Sequence, residues 1–421
     1  MKTLVFALFL AICASGVAGA SEGSPSSPAE LRILGAQKVV QKQPSRYQAY
    51  NDLALAFVRR AREIGDISYY EQAQAAIARS LEIEPKNFEG DEAQVELLLA
   101  EHKYRPALEQ ARALNHRMPD AVLVWGYIAE AEAALGDYQQ AEDAAQWMMN
   151  LRPGNLPAYL TGAELRQDWG DIDGAEEYLS KALQQTPPFE SEETAWILTR
   201  MARLLRQSGR NDTAEALLQK ALTAFPDYYL SLEELAEIRL DQHLYPQAIE
   251  LLDKRNRRFP SPSSQLLAAR AYEGAGRPAD AAKLYAEFET GARAQVALSD
   301  DANSALIIYY ADHTHKPLEA LRIARMEMQN RHDVWALDDY AWALFANGQN
   351  AEAEQQIEKA LAFGTRDAAL YYHAGAIEAA IGKKAEATRY LQASLDLNPT
   401  SEVSETVRHA VTQFQASQKW E

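Results

Sequence analysis

Small apolar residues recur along this chain at a nearly constant interval. The most regular of them is an alanine near the start of a predicted helix, found at ten positions: Ala73, Ala107, Ala141, Ala175, Ala214, Ala248, Ala281, Ala320, Ala353 and Ala387. The steps between these alanines are 34, 34, 34, 39, 34, 33, 39, 33 and 34 residues. A fixed period in this range indicates stacked copies of one supersecondary unit.

Each interval predicts two helices joined by a tight turn. A second small residue lies twelve positions before most of the marker alanines, at Ala129, Ala163, Ala202, Ala236, Ala269, Ala341 and Gly375. One small residue on each helix allows an antiparallel pair to approach closely. The turn between them often begins with glycine, as at Gly136 and Gly170, because glycine readily adopts the left-handed backbone that ends a helix. A late proline, such as Pro119 or Pro153, then ends the second helix.

The stretch "VWGYIAEAEAALGDYQQAEDAAQWMMNLRPGN" (residues 124–155) resembles the tetratricopeptide repeat. Five of its residues match the positions of that motif: Trp125, Ala129, Gly136, Ala141 and Pro153. The resemblance covers about residues 47–400 as ten repeats. It implies an all-α fold, a right-handed α-α superhelix of helix-turn-helix units. The chain as a whole resembles exported bacterial members of this family.

The regions outside the regular period divide the chain further. Residues 29–46 predict a leading helix, and residues 401–421 predict a capping helix, which a solenoid needs to cover its last apolar face. The irregular stretch "ETGARAQVALSDD" predicts a boundary between an N-terminal stack of repeats 1–7 (residues 47–290) and a C-terminal stack of repeats 8–10 (residues 291–400).

The N-terminal twenty residues have the pattern of a secretory signal peptide. Lys2 precedes an uncharged, mostly apolar run that ends in Ala18-Gly19-Ala20, which predicts cleavage before Ser21. Residues 21–28, rich in serine and proline, predict a short disordered lead. We therefore expect a soluble product outside the cytoplasm, periplasmic or secreted. Cys13 is the one cysteine of the chain, so the cleaved product would have none.

Charge and motifs exclude several classes of function. A formal charge of -18 opposes binding to phosphate backbones, so nucleic acid is not an expected partner. The chain contains no zinc-protease, nucleophile-elbow or phosphate-loop motif, so we expect neither an enzyme nor a cofactor. The histidines of "ADHTHKP", His313 and His315 beside Asp312, suggest metal ligands, but His315 takes the position where other repeats have their turn glycine. We favour the turn interpretation and expect no metal site.

The resemblance implies that the first helix of each repeat lines a concave groove that binds a peptide. The family's clamp of lysine, asparagine and arginine for a C-terminal carboxylate is absent from the corresponding positions. Repeats two to four instead have carboxylates there, namely Glu92, Glu96, Glu130, Glu164 and Asp168. Such an acidic wall suits a basic ligand.

Repeats five and six alternate in charge. Repeat five has Arg203 and Arg206, with Arg200 nearby, whereas repeat six has Glu233, Glu237 and Asp241 on the same face. Pairing between neighbouring helices explains this alternation without a ligand, although the two arginines remain candidate contacts for a partner.

The C-terminal repeats have aromatic residues on the positions assigned to the groove. They are Tyr309, Trp335, Trp342, Phe345 and Tyr372. An exposed apolar strip is unfavourable unless something covers it, and aromatic anchors often carry the binding energy of an interface. The strip therefore predicts a partner-binding surface, and burial under the capping helix is the alternative.

These observations favour a non-catalytic scaffold that binds a protein partner, a peptide or a helix, in its groove. Such a scaffold would serve an envelope assembly or export machine. The alternative is a carbohydrate-binding protein that uses the aromatics and carboxylates of the groove. We do not expect a small-molecule ligand.

Overall fold

The computed structural model describes residues 27–257, 260–296, 301–401 and 403–418. The predicted signal peptide and most of the predicted disordered lead lie outside the described residues. Within those ranges the chain forms 22 α-helices and no strand, which confirms the all-α prediction. No described helix is both long enough and apolar enough to cross a membrane.

The helices form ten antiparallel pairs between a leading and a final helix. The leading helix is α1 (Pro28–Lys42), and the final helix is α22 (Ser404–Gln418). The first helices of the pairs are α2 (Tyr47–Ile64), α4 (Phe88–Ala100), α6 (Val122–Ala134), α8 (Leu156–Asp168), α10 (Ser191–Gln207), α12 (Tyr229–Asp241), α14 (Pro262–Gly274), α16 (Asp301–Ile308), α18 (Val334–Ala346) and α20 (Ala368–Ala380). The second helices are α3 (Tyr69–Ile83), α5 (Tyr104–Arg117), α7 (Tyr138–Leu151), α9 (Ile172–Gln185), α11 (Asn211–Ala224), α13 (Tyr245–Asn256), α15 (Pro278–Gln295), α17 (Pro317–Glu327), α19 (Asn350–Leu361) and α21 (Lys384–Leu397).

The marker alanines lie at the contact between the two helices of each pair. All ten are at most 2% exposed. At Gly375, which takes the place of the second small residue in repeat ten, an added methyl group would lie only 2.6 Å from Cγ of Leu391. A larger side chain at these positions would therefore push the paired helices apart, and this requirement explains the small residues of the period.

The turn between paired helices adopts the left-handed backbone that the sequence predicts. The φ angles of Gly136 and Gly170 are +84° and +72°. The three histidines at the same position, His102, His243 and His315, also have positive φ angles, of 56°, 58° and 51°. A non-glycine residue is uncommon in this region, and histidine is among those that tolerate it. The position of His315 is therefore explained by the turn.

The array is continuous through its least regular part. The short α16 runs into a π-helical turn, Tyr309–His313, before α17 begins. Tyr309 stacks on Tyr285 of α15, with ring centroids 5.5 Å apart. One apolar cluster extends from Ala269 to Ile377, so the helices on both sides of residues 297–300 share a core. At the far end, Val407 and Val411 of α22 pack against Leu391 of α21.

The array curves far enough for its last repeats to contact earlier ones. The His332 amide donates a hydrogen bond to the Ala134 carbonyl (2.9 Å), and the Asn398 side chain donates one to the Arg206 carbonyl (3.0 Å). Between them, the Thr365 hydroxyl donates to the Asp168 carbonyl. We call this contact the inter-turn interface, because it joins successive turns of the superhelix. From the last repeats it includes His332, Phe363, Gly364, Thr365 and Asn398. From the earlier repeats it includes Ala134, Asp168, Trp169, Gly170 and Arg206.

Candidate partner-binding groove

Five carboxylates line the first helices of repeats two to four. Glu96, Glu130 and Glu164 are separated by 34 residues each, so they occupy the same position on the neighbouring helices α4, α6 and α8. Glu92 and Asp168 lie one helical turn away, on α4 and α8 respectively. We call these five residues the carboxylate row.

Desolvation raises the pKa values of four of the five members of the row, Glu92, Glu96, Glu130 and Asp168. Desolvation raises the pKa of Glu130 to about 8, and the charges of Glu164 and Glu96 add to this shift. Desolvation also raises the pKa of Asp168 to about 8, with further contributions from Glu164 and Asp333. These couplings show that the row on α4, α6 and α8 forms one electrostatic unit.

The N-terminal end of the row behaves in the same way. Desolvation, followed by the charges of Glu96 and Glu89, raises the pKa of Glu92 to about 7. Desolvation likewise raises the pKa of Glu96, although the Tyr127 hydroxyl donates a hydrogen bond to its carboxylate at 3.2 Å.

The row is nevertheless accessible. Glu130 and Glu164 are exposed, and Glu92, Glu96 and Asp168 are half-buried. Side chains that are open to solvent and still desolvated lie in a concave surface, where protein surrounds them on several sides. This combination is the one expected of side chains on the concave face of a helical array.

The cations near the row are already engaged elsewhere. Arg62 pairs with Glu192 and Glu193, at 2.8 and 2.9 Å, and its guanidinium lies 5.4 Å from the Trp196 ring. Arg200 lies against the same ring and reaches Glu164 only at 3.9 Å. In the part of the chain that the structure describes, no lysine or arginine forms an ion pair with Glu92, Glu96, Glu130 or Asp168. Four of the five carboxyl groups of the row thus have no paired cation among the described residues.

The arginines of repeat five pair within the chain, as their alternation with repeat six predicts. Arg203 and Arg206 both donate to Glu234 of α12, at 2.5 and 3.1 Å, and Arg206 lies 3.7 Å from Asp241. Glu234 is almost fully buried, and the two guanidiniums hold its pKa below the ordinary value against the opposing effect of burial. Glu233, which the charge alternation placed opposite these arginines, instead pairs with Arg255 at 2.5 Å.

The aromatic residues of the C-terminal repeats do not form an exposed strip. Trp342 is only 5% exposed; it stacks on His373 with ring centroids 4.1 Å apart and donates a hydrogen bond to Asp312 at 2.9 Å. Tyr309 is 7% exposed and lies between Tyr285 and Phe288. The expectation of exposed aromatic anchors is therefore wrong for Trp342 and Tyr309.

The remaining members of the predicted strip are half-buried. Phe345 and Tyr372 contact the Trp342 ring, with centroid distances of 5.1 and 5.5 Å, and Trp335 packs against the same core. Tyr372 also packs against the cluster of Leu391, Val407 and Val411 that includes α22. The first helices of neighbouring repeats supply the main cover of Trp342, and the capping helix contributes at Tyr372.

A buried charged pair beneath these aromatics was not found from the sequence. His373 Nδ1 lies 2.9 Å from Asp338, and both residues are buried. Burial opposes protonation of His373, but the carboxylates of Asp338, Asp312 and Asp339 outweigh it and raise its pKa. The adjacent aspartates 338 and 339 in an otherwise apolar helix were the available signal.

Among the described residues, two sets of side chains with metal-ligand chemistry already make contacts within the chain. The His313 ring stacks against Tyr285 and Tyr309, and Asp312 accepts the Trp342 hydrogen bond. The carboxylates of Glu354, Glu358 and Glu378 have ligand atoms within 4.8 Å of one another. However, the Lys383 ammonium pairs with Glu354 and lies 3.6 Å from Glu378, so the charge of that set is already met by a cation.

A family model described as a tetratricopeptide repeat matches residues 168–233 and 205–271. No curated protein matches the chain. Human IFIT1, solved as a dimer with PPP-AAAA, is 15% identical, with 89% of this chain and 95% of that chain covered and a TM-score of 0.48. Yeast Tom70 is 14% identical, with 87% and 96% covered and a TM-score of 0.38. A thermophilic TPR protein of Thermus thermophilus is 25% identical, with 44% and 97% covered and a TM-score of 0.38. These structural similarities carry no functional information about this chain.

Proposed function

Because this chain belongs to the tetratricopeptide repeat family, we propose that it is a non-catalytic scaffold that holds a basic segment of a partner protein in its groove. The observation that supports this proposal is the carboxylate row, which is accessible, repeated on three neighbouring helices and left without ion pairs at four of its five members.

The chemistry of the row favours cationic side chains over other ligands. A lysine or arginine placed among these carboxylates would interact strongly, because a concave, partly desolvated surface screens charge less than bulk water does. Binding would also release the protons that the raised pKa values of Glu130 and Asp168 retain near neutral pH. An anionic ligand would meet repulsion from the ionised carboxylates of the row.

The spacing of the row suggests the form of the bound segment. Packed helices lie roughly 8–10 Å apart, and an extended chain advances about 3.3 Å per residue. Basic residues at every third position of an extended segment would therefore meet successive helices. This arrangement is the basis for a peptide probe.

The binding test uses a twelve-residue fluorescent peptide with lysine at every third position and a matched peptide with glutamate at those positions. We expect saturable binding of the lysine peptide alone, weakened by salt. The triple variant Glu96→Gln/Glu130→Gln/Glu164→Gln should lose at least about tenfold in affinity, which corresponds to 1.4 kcal/mol. The control is Glu109→Gln/Glu142→Gln/Glu177→Gln, which removes the same charge from exposed positions on the second helices. Equal losses of affinity in both triple variants would show that binding depends only on net charge, and would refute a binding site in the groove.

A cellular experiment identifies the partner. A photo-cross-linking amino acid at position 130 should label a discrete protein through a lysine- or arginine-rich segment, whereas the same group at the exposed position 142 should not. Labelling from position 142 alone would place the partner on the other face of the array and contradict the proposal.

We further propose that the scaffold acts outside the cytoplasm, in an envelope assembly or export machine. The support is the N-terminal sequence, with Lys2 followed by an uncharged run that ends at Ala20. The mass of the chain recovered from the periplasm or medium should correspond to a first residue of Ser21. Recovery of the uncleaved chain from the cytoplasm would contradict this location.

Carbohydrate binding is the alternative function, and the geometry supports it less. A sugar-binding groove needs open aromatic faces, whereas Trp342 and Tyr309 are packed against other rings.

A further inference from the structure

We propose that the last three repeats act as a lid beside the carboxylate row, and that opening of the inter-turn interface controls how fast a partner segment enters the groove. This inference rests on the proposed function, since it concerns access to the same groove.

The contacts of the inter-turn interface are periodic. Three of the residues that donate hydrogen bonds across it, His332, Thr365 and Asn398, follow one another at intervals of 33 residues, one for each of the last three repeats. Their acceptors are the carbonyls of Ala134, Asp168 and Arg206, at the C-terminal ends of α6, α8 and α10. Carbonyls at a helix end have no partner within their own helix, so water can replace these donors when the interface opens.

The apolar part of the interface is small. Phe363 packs against Tyr138, with ring centroids 4.5 Å apart, in a cluster with Leu165 and Trp169. Across the interface, among the residues that the structure describes, no helix packs along another helix. Since an exchanged hydrogen bond changes stability by only about 1 kcal/mol, opening would leave the core of every repeat intact.

A second contact between distant repeats consists of ion pairs with buried carboxylates. Arg59 pairs with Glu190 at 2.6 Å, and Arg62 pairs with Glu192 at 2.8 Å, which joins the first repeat to the start of α10. Glu192 is fully buried and also accepts a hydrogen bond from Tyr228 at 3.0 Å. The N-terminal repeats are thus fixed in place, and the C-terminal repeats are the part that can move.

The inter-turn interface borders the carboxylate row directly. Asp168 belongs to both, because its side chain is a member of the row and its carbonyl accepts from Thr365. Tyr138 connects them as well: its hydroxyl accepts from the Val334 amide at 3.4 Å and hydrogen-bonds to the Asp168 carboxyl group. The approach is close, since a methyl group added at Gly136 would lie 2.7 Å from the His332 carbonyl oxygen. Movement of the lid would therefore widen or narrow the approach to Glu164 and Asp168.

The test locks the interface with a covalent link. The side chains of Asn211 and Thr400 meet across it at 3.3 Å, so both are replaced by cysteine and joined by a cleavable bismaleimide linker, in a chain that also carries Cys13→Ser. We expect the locked protein to associate with the lysine peptide at least tenfold more slowly, and cleavage of the linker to restore the rate. The control links Glu354→Cys to Lys383→Cys, two residues that form an ion pair within the last repeats.

A second measurement requires no ligand. Spin labels at positions 211 and 400 should give two distance populations, and Phe363→Ala should shift the distribution toward the longer distance. A single short distance in both proteins, or unchanged association in the locked protein, would overturn the lid. If the unlocked protein fails to bind the peptide while two distances are seen, the proposed function fails and the lid stands.

Discussion

The carboxylate row and the aromatic residues of the last repeats occupy the same face of the first helices, but they differ in their exposure to solvent. Glu130 remains exposed without an ion pair and Glu164 remains exposed with Arg200 at 3.9 Å, whereas Trp342 is covered by His373, Tyr372 and Phe345 from its own and a neighbouring repeat. A side chain on this face can therefore point into the groove or fill the contact between adjacent first helices.

The difference follows from the free energy of moving each kind of side chain out of water. Burying a tryptophan stabilises the fold through lost apolar surface, and Asp312 satisfies the indole N–H of Trp342. Burying a carboxylate without a cation is costly, so the row stays at the groove surface. Repeats five and six show an intermediate solution, because buried Glu234 is matched by Arg203 and Arg206.

The largest test of this contrast is Trp342→Ala. Removal of a buried aromatic side chain should cost about 3–5 kcal/mol and lower the melting temperature clearly. The control is Trp147→Ala, because Trp147 is 50% exposed and rests on Trp125. Thermal and urea unfolding of both variants measure the stability that each loses. Equal losses of stability would mean that the burial of Trp342 contributes no more than the half-exposed ring of Trp147.

An intermediate effect is expected for Arg206→Ala. This change leaves Glu234 with Arg203 alone and should cost about 2 kcal/mol, below the usual cost of breaking a buried pair because one cation remains. Arg203→Ala should cost less, since the Arg203 side chain is 44% exposed and that of Arg206 only 17%.

Adding Glu234→Gln to Arg206→Ala should restore part of the stability, measured by urea unfolding. No recovery in this double variant would show that Arg206 stabilises the fold by packing alone.

The smallest effect concerns Glu130→Gln and depends on pH. Folding raises the pKa of Glu130 from its ordinary 4.5 to about 8, so the folded chain retains this proton where the unfolded chain loses it. The wild type should consequently lose stability as pH rises through this window, and the glutamine variant should not share that loss. The difference in melting temperature between the Glu130→Gln variant and the wild type, measured at the same pH, should rise in favour of the variant by at most a few degrees between pH 4.5 and pH 8. The effect is small because solvent screens the exposed side chain.

Glu142→Gln on α7 is the matched control for this measurement, since Glu142 is an exposed glutamate outside the row. A difference from wild type that stays constant across the pH range, or that falls as pH rises, would contradict the raised pKa of Glu130.

The fold could be predicted from the sequence because every repeat carries its own local signals. The marker alanines, the turn glycines and the turn histidines at 102, 243 and 315 each report a steric requirement of one helix pair. The alternation of charge between repeats five and six also predicted their pairing, since adjacent helices must meet.

The rest depends on contacts that no local pattern encodes. Whether Trp342 faces the groove is decided by His373 and Tyr372 on the neighbouring α20. The inter-turn interface depends on the sum of small rotations over about five repeats. Nothing at His332, Thr365 or Asn398 distinguishes these residues from other loop residues.

The inter-turn interface also has a consequence for how the chain folds. In a linear repeat array each unit stabilises only its neighbours, so the end of the array can fray or be removed without harm to distant units. Here the carbonyls of Ala134 and Asp168 gain donors only when His332 and Thr365 are in place, whereas the Arg206 carbonyl accepts from the Gly209 amide as well as from Asn398. These contacts span nearly 200 residues and therefore raise the contact order of a fold that is otherwise local, which slows the last step of folding. During synthesis, repeats three to five would wait for the final repeats before their helix ends are fully bonded.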